Sequence, residues 1–231
     1  MGELLSSTGL FAVVLTLGAY EIGLWIQHKT KSALCNPLLI SILLVMAVLG
    51  VLHISPVTYR EGVSGLSWLL TPATVCLAVP LYEQIKVLKK SLPAIFAGVA
   101  AGTLVSLCCV ALMARLFAME SPILASLLPK SVTTALGIAI AEQLGGIPAV
   151  STAAIVVTGI LGCVGGSGLA KLLKVDSPIA QGVAFGTASH VLGTSRATEI
   201  SELTGAVSSL SLVVAGILTA ILCPMWFSLM G

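Results

Sequence analysis

Apolar runs close to 20 residues long recur from one end of this chain to the other. A run of that length spans the hydrocarbon core of a bilayer as a helix, and a chain built of such runs has almost no other way to satisfy its backbone. Of the 231 residues, 57% are hydrophobic and 9% carry a formal charge. A soluble domain carries about 25% charged residues. That balance excludes a soluble enzyme, a disordered chain and a nucleic-acid binder, and it predicts an all-α polytopic membrane protein whose immediate surrounding is the lipid bilayer. The 23 glycines predict close helix packing. No ten-residue alternation of a transmembrane barrel is present.

The net charge of +2 calls for no polyanionic partner. Cys35, Cys76, Cys108, Cys109, Cys163 and Cys223 lie in or beside apolar runs, with no C-x-x-C pair and no metal-ligand spacing. They read as small hydrophobes, and no metal or cofactor is expected. The N-terminus lacks a basic n-region, so the first run is expected to stay as a helix.

Charged and turn-forming clusters divide the chain into segments at 8–27, 34–54, 64–84, 92–117, 121–143, 147–170, 178–200 and 204–230. They are read as a single domain over 1–231. Six read as plain spans. The other two do not. Segment 121–143 holds Pro129-Lys130-Ser131-Val132-Thr133-Thr134 at its middle, and segment 178–200 holds Gly186-Thr187-Ala188-Ser189-His190 followed by Gly193-Thr194-Ser195-Arg196. Each sets a cation, hydroxyls and helix breakers (Pro129 in one, Gly186 and Gly193 in the other) where a span would carry Leu and Val. They are predicted to be re-entrant or discontinuous helical segments.

Loop charges favour re-entry. If both segments return to the side they enter, Lys29, Lys31, Lys86, Lys89, Lys90, Lys171 and Lys174 share one face, against Arg60 and Arg115 on the other. If both cross, the bias vanishes. A weak echo between Leu69-Leu70-Thr71-Pro72…Glu83-Gln84 and Leu127-Leu128-Pro129…Glu142-Gln143 suggests a possible inverted repeat.

The chemistry-bearing residues follow from these breaks. Pro129 suits the first turn of a helix, whose free N–H groups attract an anion, and Lys130 stands beside it. Arg196 grips carboxylates through paired hydrogen bonds. His190 can carry a proton. Ser131, Thr133, Thr134, Thr187, Ser189 and Thr194 offer hydroxyls to a substrate or coupling ion. Glu83 and Glu142, each before Gln at a segment end, are further coupling candidates. Asn36, before Pro37, is expected to cap the second span. Gly162-Cys163-Val164-Gly165-Gly166 reads as a packing face. Ser189 and His190 are adjacent, point about 100° apart on a helix and have no matching acid, so no hydrolase is expected.

These motifs, with Asn36-Pro37-Leu38-Leu39, Pro72-Ala73, Leu77 through Gln84, Gly145-Gly146-Ile147-Pro148-Ala149 and Gly205-Ala206-x-Ser208-Ser209-Leu210, resemble the LrgB/CidB family along nearly the whole chain. The resemblance implies a multi-pass protein of the bacterial cytoplasmic (inner) membrane, encoded beside a small LrgA/CidA-type partner. Bacterial members were described as antiholin-like or holin-like modulators of murein hydrolase export and autolysis, and some are implicated in pyruvate uptake. Plastid glycolate/glycerate translocators resemble the chain in their C-terminal half. The implied ligand is a small 2-hydroxy or 2-oxo monocarboxylate anion, such as glycolate, glycerate, pyruvate or lactate. The chain departs from the family pattern at Ala135, where proline is frequent, and at Thr204, where glutamate is frequent. The leading expectation is a secondary carrier working by alternating access, with protons as the candidate coupling ion, and assembled as a homodimer. An antiholin-like regulator is the alternative.

Overall fold

The computed structural model describes residues 9–30, 37–69, 72, 75–76 and 78–230. Asn36 and Cys35 lie outside them. The chain forms two compact units, 1–76 and 77–231. In the first, α1 (Gly9–Thr30) and α2 (Pro37–Val51) run antiparallel, followed by the short α3 (Pro56–Gly62) and α4 (Ser64–Ser67). Glycine sets the α1–α2 approach, because a Cβ on Gly23 would lie 2.6 Å from the Pro37 carbonyl oxygen. Ser41 Oγ donates to the Ala19 carbonyl across the same seam. Thr16 Oγ1 meets the Tyr59 hydroxyl at 2.7 Å, tying α3 to α1. Ser55 caps α3 by accepting from Val57 N.

The second unit begins with α5 (Ala78–Glu83) and the 32-residue α6 (Ile85–Leu116). Two helices, α7 (Ser121–Leu127) and α8 (Thr134–Gln143), flank a break at 128–133. Then come α9 (Pro148–Leu172), α10 (Pro178–Ile200) and α11 (Glu202–Met230). Among the described residues α1, α6, α9 and α11 are long and apolar enough to cross a membrane, and α2 is a shorter apolar helix. At 1.5 Å per residue the 15 residues of α2 rise about 22 Å, less than a hydrocarbon core.

Both polar segments turn back on themselves. His190 sits inside α10 with φ 43° and ψ −135°, a backbone that reverses the chain. A Cβ on Gly193 would lie 2.5 Å from the Phe185 carbonyl oxygen. In a straight helix those residues are about 12 Å apart along the axis. The first half of α10 runs beside α11 in the same direction, with Gly182 against Thr204 and Gly186 against Ser208. The second half runs back, with Thr194 against Ser208 and Thr198 against Gly205. The α7–α8 segment does the same. A Cβ on Gly137 would lie 3.2 Å from the Pro129 carbonyl, and one on Gly146 2.9 Å from Ser126 N.

The two hairpins enter from opposite ends of the unit. Leu88, at the start of α6, clusters with Ile179, Leu203 and Val207, at the starts of α10 and α11. Val110 and Ala114, at the end of α6, cluster with Leu124, Ile140 and Cys223. In element order α6 and its hairpin repeat as α9 and its hairpin, upside down. This inverted pair differs from the 69–84 and 127–143 echo in the sequence.

Several sequence expectations need correction. Lys86 to Lys90 do not separate two spans: they form the first turns of α6, where exposed lysines suit a helix. Segment 64–84 is not one helix, since α4 ends at Ser67 and α5 starts at Ala78. Gly186 and Gly193 do not break α10; they remain helical because each lies against backbone that a side chain would strike. Pro129 lies within the break rather than opening a helix: α8 starts at Thr134, with Thr133 as its N-cap.

Ser126 locks the base of the first hairpin. It is fully buried, donates to the Pro122 carbonyl and accepts from Ile147 N, both at 2.7 Å. Ser126→Ala leaves that N–H unpaired, so a loss of about 1–3 kcal/mol is expected in equilibrium unfolding of the detergent-solubilised protein.

Candidate functional site

The tip of the first hairpin carries the Lys130 ammonium into the unit's interior. Lys130 is half-buried, and its Nζ donates to Ser106 Oγ at 3.4 Å and Ser131 Oγ at 3.3 Å. The two serine hydroxyls are themselves 3.3 Å apart. No carboxylate pairs with Lys130; Arg196–Glu199 is the salt bridge among the described residues. Beside this cluster lies a small cavity, about 10 Å³, lined by Thr103, Ser106, Leu107, Leu128, Ser131, Thr187 and Thr219. That is room for about one water molecule. Four structural pieces build it: α6, the first hairpin, the second hairpin and α11. A cation bonded to two hydroxyls, with no acid among the described residues to neutralise it, is chemistry suited to a small anion.

The tip of the second hairpin is seated on α9. His190 is 4% exposed, and its Nε2 lies 3.0 Å from the Ile155 carbonyl oxygen. Glycines receive the tip: Gly159 faces the His190 ring, Gly162 faces Ser189 and Gly166 faces Phe185. Gly165 meets nothing within 4 Å, so the packing face is 159, 162 and 166 rather than the 162–166 run alone. Inside the hairpin, Thr194 Oγ1 donates to the His190 carbonyl and pairs with Ser208 Oγ, both at 2.9 Å.

The family model for the LrgB-like family matches residues 16–229. The chain belongs to the LrgB-like family. Its relatives include proteins named antiholin-like protein LrgB from Bacillus mycoides, Bacillus cereus and Bacillus anthracis. Each is 33% identical over 225 residues, covering 97% of this chain and 98% of the relative. No solved structure matches it.

Within this LrgB-like chain the sequence-derived site residues separate into groups. Lys130, Ser131 and Thr187 come together at the cavity and its cation. Thr133 is the α8 N-cap without a side-chain capping bond, and Thr134 is exposed. Ser189, His190 and Thr194 are buried and hold the second hairpin to α9 and α11. Arg196 stands elsewhere: its Nε donates to Ser167 Oγ at 3.2 Å, and it bonds Glu199 at 2.5 Å. Glu83 and Glu142 are exposed. Thr204 is fully buried and pairs with Ser201.

The Arg196–Glu199 side chains are 34% and 58% exposed. An ion pair in such a place contributes well under about 1 kcal/mol. Glu199→Gln is therefore expected to shift the midpoint of thermal unfolding by no more than a degree or two, which differential scanning fluorimetry reads directly.

Thr103, Ser106 and Thr219 line the cavity but do not stand out in the sequence. Thr103 and Ser106 are three apart on α6 and so share a face. That spacing, between Gly102 and Leu107, was the available signal.

Proposed function

We propose that this protein takes the antiholin-like role for which its relatives are named, modulating murein hydrolase export and autolysis, and that its molecular act is to carry small 2-hydroxy or 2-oxo monocarboxylates across the membrane. The first half is supported by 33% identity to antiholin-like LrgB proteins over 97% of the chain. The second rests on one observation: Lys130, with no carboxylate partner among the described residues, is hydrogen-bonded to Ser106 and Ser131 beside a hydroxyl-lined cavity between two hairpins.

In a bilayer both hairpins would enter from opposite faces and stop near the middle. Irregular backbone is tolerated at that depth where protein or a polar cavity covers it, and interrupted segments at the midplane are a carrier's usual binding place. Alternating access then consists of one hairpin tip parting from the cavity while the other stays seated. The cavity has space for about one water, so a carboxylate fits only once its walls part. The carboxylate is assigned to Lys130. His190 would orient the second hairpin or relay a proton. A homodimer, or an assembly with a small LrgA/CidA-type membrane partner, completes the proposal.

Reconstitution in liposomes tests it. Saturable uptake of labelled glycolate, glycerate, pyruvate or lactate supports the carrier. Dye leakage without saturation rejects the carrier and leaves a pore-like or regulatory action in autolysis.

A further inference from the structure

Thr103 and Thr187 are 4% and 7% exposed, and neither hydroxyl has a hydrogen-bond partner among the described residues. Both line the cavity beside Lys130, Thr103 from α6 and Thr187 from the first half of α10. Ser151 on α9 is also buried without a partner but does not line the cavity, whereas two other buried hydroxyls are paired. Thr194 pairs with Ser208, and Ser211 donates to the Val207 carbonyl. Thr187 is also held in place, because Gly102 lies against its methyl group with only 3.0 Å to spare for a Cβ. The methyl is packed on α6, and the hydroxyl is left for the cavity.

An unpaired buried hydroxyl is costly until something hydrogen-bonds to it. Sites that carry such groups discriminate strongly against ligands that cannot reach them with a polar atom. The carboxylate end of a ligand is drawn to Lys130, Ser106 and Ser131. Thr103 lies one turn from Ser106, within about 5–6 Å, which is where an oxygen on the next carbon would fall. We propose that Thr103 and Thr187 are specificity-determining residues that recognise the oxygen on the carbon beside the carboxylate. They thereby separate 2-hydroxy and 2-oxo monocarboxylates from plain aliphatic carboxylates. This rests on the carrier reading above and adds to it the residues and the discrimination.

The test is competition against labelled glycolate uptake in proteoliposomes, with lactate and propionate as matched competitors. In the wild type lactate inhibits at a concentration at least about tenfold below propionate, the ratio expected for one well-formed hydrogen bond to a buried group. Thr103→Val and Thr187→Val keep the shape and remove the hydroxyl, and each brings the ratio toward one. Thr103→Ser restores it. An unchanged ratio in both valine variants overturns the proposal while leaving the carrier reading intact. Absence of saturable uptake by the wild type removes the carrier reading. In that case thermal stabilisation of the detergent-purified protein by lactate over propionate still decides. Loss of that preference in the valine variants supports the two threonines, and no preference in the wild type overturns them.

Discussion

Lys130→Ala is expected to raise the half-saturating concentration for carboxylate uptake steeply while leaving a folded protein. A hydrogen bond to a charged group contributes about 1.5–3 kcal/mol, so losing the cation weakens binding by roughly 10- to 150-fold. Among the described residues no other cation is bonded to the cavity-lining hydroxyls to replace it: Arg196 is engaged by Ser167 and Glu199. Stability moves the other way. An uncompensated cation in a bilayer interior is unfavourable, and Lys130 has two serine hydroxyls and no carboxylate around it. Lys130→Met, similar in length and apolar, is therefore expected to unfold at the wild-type temperature or above it. Lys130→Arg is expected to retain part of the uptake, because a planar fork replaces a point charge among hydroxyls placed for the latter. Uptake kinetics on size-exclusion-checked protein measure all three. A Lys130→Ala protein with wild-type uptake would remove Lys130 from the site.

Gly186→Ala is expected to destabilise the second hairpin. A methyl there meets the Ser208 carbonyl and its carbon, with the Ser211 Cβ 2.8 Å away. Two of those neighbours are backbone, which cannot turn aside. Overpacking of this kind costs about 1–3 kcal/mol, and it falls on the seam that holds the second hairpin to α11. Gly165→Ala is the matched control: nothing lies within 4 Å of that site, and alanine is the better helix former by roughly 0.8–1 kcal/mol. Unfolding in graded denaturant is expected to place Gly186→Ala below the wild type and Gly165→Ala at or above it. Equal midpoints for the two would mean that the α10–α11 seam is looser than described.

The breaks in the polar segments were legible in the sequence, but not where the chain turns. A lysine and three hydroxyls between apolar flanks are hard to place on a membrane-facing helix, so residues 128–134 announced an interruption. In 178–200 the glycines suggested the break, yet the turn is at His190. Glycine permits a bend and equally permits a close approach, and Gly186 and Gly193 are used for the second. Local sequence does not distinguish these uses, because the deciding atoms belong to Ser208, Ser211 and Phe185. The same holds for the cavity. Ser131 and Thr187 sit in conspicuous polar motifs, whereas Thr103, Ser106 and Thr219 sit in helices that read as plain spans. Their role comes from which wall they share, which is a property of helix packing. Arg196 also sits in a conspicuous motif, and in the structure it is bonded to Glu199 three residues on and to Ser167 on α9.

The central claim is that two hairpins enter the membrane from opposite faces and meet at the Lys130 cavity. Thiol labelling by a membrane-impermeant reagent tests it, on single cysteines in a background with the six native ones replaced. Lys89→Cys and Lys171→Cys are predicted to react from one face, and Phe117→Cys and Gln143→Cys from the other. Labelling of Phe117→Cys and Gln143→Cys from opposite faces would show that 121–143 crosses the bilayer, and would contradict the account.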